Sequence, residues 1–93
     1  MVGRDPRRVL DTFLKAGRLV RIPARRGRRL VILDYLAQQF EPGIRYTEPE
    51  VNERLAEYHQ DVAALRRYLV DEGLLDRAVD GARYWRSGGT VEI

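Results

Sequence analysis

Apolar residues recur at three- and four-residue intervals through most of the chain and switch to alternation near its C-terminal end. Val9, Leu10, Phe13 and Leu14 form one such helical stripe. Asp5 before Pro6 supplies its start, an N-cap followed by proline at the first helical position. Gly17 is expected to end it as a left-handed cap. Arg18–Ile22 is short and stopped by Pro23, so it reads as a short edge strand. Ala24–Arg29 reads as a basic connection around Gly27. A second helix is expected from about Gly27 to Phe40, with Leu30, Leu33, Leu36, Ala37 and Phe40 on one side and Val31 and Tyr35 on another. A helix apolar over most of its girth belongs at the centre of a fold.

Pro42-Gly43 breaks that helix. Thr47-Glu48-Pro49-Glu50 then reads as a capping box, opening a third helix that carries Val51, Leu55 and Tyr58 and ends near His59-Gln60. Asp61 caps a fourth after a tight turn. Val62, Leu65, Leu69 and Tyr68 are its inward positions and Gly73 its stop. Leu74–Val79 and Ala82–Arg86 alternate around Asp80-Gly81, which predicts a hairpin with a two-residue type I′ turn. Residues 87–93 read as a frayed, Gly-rich tail.

The pattern therefore predicts a mainly α, α+β domain over residues 1–93: a winged helix-turn-helix of about four helices with a two-stranded β-hairpin wing. An N-terminal helix and strand occupy 1–23, and the winged core occupies 27–86. Two short helices joined by a tight turn, the second closed by glycine, form the helix-turn-helix.

Charge adds an asymmetry. Residues 1–29 hold ten Arg and Lys against two Asp, whereas residues 30–93 hold seven basic groups against twelve acidic ones. A polyanion would be drawn to the N-terminal third. Sixteen of the seventeen basic residues are Arg, so a solvated arginine surface set by codon bias accounts for the excess equally well. The chain has no cysteine, which excludes disulfides and thiolate metal sites and suits a reducing cytoplasm. The longest apolar run, Leu30–Leu33, is far below the ~20 residues of a membrane helix. No stretch at the N-terminus resembles a signal peptide.

The chemistry-bearing residues point to binding rather than catalysis. His59 is the sole histidine and lacks a second imidazole or thiolate, so it is expected to bond locally at a helix end. Thr12, Thr47, Ser87 and Thr90 have no base at a recognisable spacing, and no phosphate-cradling Gly-rich loop is present. No enzyme, metal or cofactor is expected. On the fourth helix, Ala63, Ala64, Arg67 and Asp71 fall opposite Leu65 and Leu69, with Arg66 flanking. Small residues for close approach beside an arginine for guanine suit a major-groove reader. Arg66 and Arg67 could instead pair with Asp71 or Glu72 at helical spacing. Arg25, Arg26, Arg28 and Arg29 crowd a helix N-terminus, where positive charge is unfavourable, and so suggest a phosphate partner. Tyr84 and Trp85, adjacent on a strand, should place one ring in the core and one at the surface.

The run from Asp61 to Arg77 (DVAALRRYLVDEGLLDR), with a hairpin ending Tyr84-Trp85-Arg86, resembles the recognition helix and wing of ArsR- and MarR-type regulators. A wider set covers nearly the whole chain: Gly17–Pro23, Leu33–Phe40, Tyr46–Glu53, His59-Gln60-Asp61, Leu65–Asp71 and Gly81–Trp85. It is similar to a bacterial domain family of unknown function, found alone or behind an ArsR-like DNA-binding domain. Charge, helix face and resemblance taken together lead to the expectation of a transcriptional regulator contacting double-stranded DNA through Arg25, Arg26, Arg28, Arg29, Ala63, Ala64, Arg66, Arg67 and Arg83. The alternative is a ligand-sensing, dimerising or protein-binding module of the same shape that does not bind DNA, as a domain placed behind a dedicated DNA-binding domain would allow.

Overall fold

The computed structural model describes residues 5–90 as four helices and two small antiparallel sheets. Residues 91–93 of the expected tail lie outside the described residues.

Helix α1 spans Pro6–Phe13, with the Asp5 carboxylate accepting from the Arg7 backbone N–H at 3.1 Å. It ends earlier than expected. Leu14–Lys15 (β1) and Arg18–Leu19 (β2) form a hairpin whose turn residues, Ala16 and Gly17, have φ of 52° and 81°. Gly17 is thus a turn residue rather than a helix cap. Two consecutive left-handed residues are what a two-residue hairpin needs, and an alanine in the first place hid it. This hairpin is tied to the rest of the molecule. Leu19 N–H donates to the Tyr58 carbonyl at 2.7 Å, and the Arg18 guanidinium donates to the carbonyls of Ala56 and Glu57, both at 3.0 Å.

Helix α2 (Arg26–Ala37) begins one residue before the expected start, and a turn carries the chain to Phe40. Its buried face holds Ile32, Leu33, Leu36 and Ala37. Arg45–Tyr46 (β3) follows. Then comes α3 (Glu48–Ala56), whose capping box is formed in full: Glu50 N–H donates to Thr47 Oγ1 at 3.2 Å, and Thr47 N–H to Glu50 Oε1 at 2.7 Å. The hydrogen bonds from Thr47 hold the Glu50 carboxyl below the usual carboxylate range. The helix stops at Ala56, short of the expected end. His59 Nδ1 accepts from Asp61 N–H at 3.0 Å, a local bond in the turn.

Helix α4 (Val62–Asp71) is capped by Asp61, which accepts from Ala64 N–H at 3.1 Å. Its C-terminus is a Schellman turn: Leu74 N–H reaches the Leu69 carbonyl at 2.9 Å and Gly73 N–H the Val70 carbonyl at 3.0 Å, with Gly73 at φ 76°. Leu75–Arg77 (β4) and Tyr84–Arg86 (β5) follow.

The second hairpin has shorter strands and a longer turn than the alternation predicts. Ala78 N–H donates to the Arg83 carbonyl and Gly81 N–H to the Ala78 carbonyl, leaving a four-residue loop, Val79–Ala82. The sheet also has a third strand. β3 pairs with β5 (Tyr46 opposite Tyr84), so the strand order is β3-β5-β4. Two residues of Arg-Tyr carry too little alternation to be read as a strand.

One core runs from Val9 to Tyr84, and Leu33, Leu36, Val51, Leu65 and Leu69 in it are fully enclosed. Among the described residues no polar or charged side chain is buried. Tyr84 faces the core and Trp85 the surface, where the Arg45 guanidinium lies 4.3 Å from its ring. The segment 87–90 is held rather than frayed: Ser87 bonds the Gly73 and Leu74 carbonyls, and Thr90 N–H reaches Asp34 at 2.7 Å. No helix among the described residues is long and apolar enough to cross a membrane.

Candidate nucleic-acid interface

Leu65 and Leu69 point α4 into the core, so its opposite side is presented outward. Ala63, Arg67 and Asp71 are exposed there, Ala64 and Arg66 partly so. The two flanks of this outward ridge differ.

On one flank, the start of α3 and the second hairpin close a cleft of about 250 Å³ against α4. Glu48, Ala63, Arg66, Arg67, Val70, Asp71, Arg77 and Tyr84 line it. Arg66 does not pair along its own helix. Its guanidinium donates to the Asn52 amide oxygen and lies 3.9 Å from Glu48 Oε1. The Tyr84 hydroxyl donates to the same Glu48 oxygen at 2.9 Å. The guanidiniums of Arg67 and Arg77, both on exposed residues, make no hydrogen bond or ion pair among the described residues. Arg83, exposed at the base of the hairpin loop, donates to the neighbouring Ala82 carbonyl at 2.9 Å.

On the other flank lies the basic segment 25–29. Arg25 is the α2 N-cap residue, and Arg26, Arg28 and Arg29 belong to the helix rather than to a connection. Arg26 makes a bidentate pair with Glu72, at 3.0 and 2.7 Å. The pair lifts the Arg26 pKa and holds the Glu72 carboxyl below its ordinary range. Arg29 stacks 4.5 Å from the Tyr68 ring and donates to the carbonyls of Pro23 and Ala24, at 3.3 and 2.9 Å. Two of the four arginines thus have partners on α4, Glu72 for Arg26 and Tyr68 for Arg29, that no local reading of 25–29 could supply. Arg25 and Arg28 are exposed.

Of the residues expected from the sequence, Ala63, Arg66 and Arg67 come together in the cleft. Arg26 and Arg29 are engaged within the fold, and Arg83 stands apart at the hairpin loop. Sequence reasoning missed Arg77, Glu48 and Tyr84 as site residues, because they come to α4 from three other elements, β4, the start of α3 and β5, and no single helix face encodes that meeting. Among the described residues no cluster of three or more His, Asp or Glu is placed to hold a metal ion.

Residues 18–86 match a family described as an uncharacterized protein conserved in bacteria, DUF2087. The chain belongs to the DUF2087 family. The match spans from β2 to β5 and so takes in every residue of the cleft, with α1 and β1 outside it. Neither a curated protein nor a solved structure matches this DUF2087 chain.

Proposed function

We propose that this chain is a winged-helix DNA-binding protein that acts in transcription regulation, rather than an enzyme. The element order supports the winged-helix reading. A helix and a short strand precede two helices joined by a tight turn, and a hairpin follows whose last strand pairs back to that first short strand. The observation that carries the function is the pair of uncommitted guanidiniums, Arg67 on the outward face of α4 and Arg77 on the adjoining strand. Beside them Ala63 leaves room for close approach to a groove. In this reading Arg67 meets a base edge, while Arg77, Arg83, Arg25 and Arg28 meet phosphates. Arg26 and Arg29 hold α2 against α4.

A polarisation titration with random duplex at two salt concentrations tests this. Binding is expected to weaken steeply with salt, by about 0.9 log units in affinity per log unit of salt for each phosphate neutralised. Replacing Arg77 and Arg83 together with Ala should flatten that slope by about the same amount for each phosphate left without its arginine. Arg67→Ala should cost ~1–3 kcal/mol on a preferred site and far less on random duplex. No binding of wild type at low salt would overturn the reading.

A further inference from the structure

The charges around the cleft are not all balanced within the protein. Glu48 is matched internally, by the Tyr84 hydroxyl at 2.9 Å and by Arg66 at 3.9 Å. Arg66 is in turn fixed by Asn52. What remains facing the space is Arg67 and Arg77 against Asp71, a surplus of one positive charge. The volume, about 250 Å³, is several times the roughly 30 Å³ share of a water molecule, so a lone small ion would leave most of it unfilled. Ala63 and Val70 add apolar wall. Guanidiniums present a planar fork that matches a carboxylate.

We infer that the cleft is a binding site for a small organic monocarboxylate. Its carboxylate is bound by Arg67 and Arg77, and its short apolar body rests on Ala63 and Val70. A dianion such as a phosphate monoester carries one charge more than the site balances. Occupancy would engage two of the groups assigned above to DNA and cancel their surplus of one positive charge. That regulatory consequence rests on the duplex reading, whereas the site itself does not.

The test is an amide ¹⁵N–¹H titration of the full chain at pH 7 and constant ionic strength, with no DNA present. Sodium butyrate, its neutral isostere butyramide and methyl phosphate, a monoester mostly dianionic at pH 7, are the probes. Butyrate should give saturable shifts at Ala63, Val70 and Arg77, with half-saturation on the order of 1–10 mM, as expected for a ligand of few atoms. Butyramide and methyl phosphate should each bind at least about tenfold more weakly. In the Arg67→Gln/Arg77→Gln variant the butyrate shifts should vanish. The rest of that spectrum should stay unchanged, because neither guanidinium supports the fold. Shifts that spread over all basic surfaces without saturating, an equal response to butyramide, tighter binding of methyl phosphate, or retention in the double variant would each overturn the assignment. Because no duplex is used, a chain that fails to bind DNA yet saturates with butyrate overturns the proposed function and supports this site.

Discussion

The two flanks of α4 are both rich in arginine, and on each the fold engages some guanidiniums and leaves others over. Beside the start of α2, Arg26 has Glu72 and Arg29 has Tyr68 and two carbonyls. Beside the hairpin, Arg67 and Arg77 have no such partners among the described residues. The same residue type thus does two kinds of work on opposite flanks of one helix. A cluster of basic residues in a sequence says little about function until its internal partners are known. The four-arginine run that looked like the phosphate grip is half consumed by the fold, and less conspicuous arginines further along the chain join Arg25 and Arg28 among those left over.

This contrast can be broken most directly from beneath. Leu65, fully buried under the ridge, anchors both flanks, and Leu65→Ala should cost ~2–5 kcal/mol in chemical denaturation. Leu33→Ala in α2 should cost a similar amount. If Arg29 is a structural residue, Arg29→Ala should lower stability by about 1–2 kcal/mol through loss of its ring stacking and carbonyl bonds. A stability equal to wild type would place Arg29 with the free arginines instead. Thr47→Ala removes the cap of the neighbouring helix and should cost about 1 kcal/mol in a urea titration. Glu72→Gln should have a smaller effect, and one that depends on pH. The Glu72 carboxyl is held below its ordinary range in the folded state, so its contribution is present at neutral pH and is lost as pH falls through that depressed value. Melting curves of wild type and Glu72→Gln should therefore differ at pH 7 and converge in acid. Least of all, Arg67→Ala and Arg77→Ala should leave stability within about 0.5 kcal/mol of wild type. A larger loss in either would remove the distinction between engaged and free arginines.

Signals confined to a few neighbouring residues were legible in the sequence. The Asp5, Thr47 and Asp61 caps and the Gly73 stop stand where local chemistry puts them. Asp80-Gly81 marked the hairpin, but the loop length depended on pairing that the dipeptide does not encode. Ile32 escaped notice because α2 is apolar on most sides, so periodicity could not choose its inner face. At the site, Ala63, Arg66 and Arg67 were found through their common helix face. Arg77, Glu48 and Tyr84 were not, since they reach the cleft from β4, α3 and β5, and no single helix face encodes that meeting.

That central position of β5 has a kinetic consequence. Its pairing with β4 closes a short loop, but its pairing with β3 joins Tyr46 to Tyr84 around α3, α4 and the whole cleft. The helix pair can form from contacts near in sequence, whereas the β3–β5 rungs must wait for a long loop to close. Mutations in the α3–α4 turn should then change the folding rate, and mutations at Tyr46 or Tyr84 chiefly the unfolding rate. The cleft would be the last part of the molecule to assemble and the first to open.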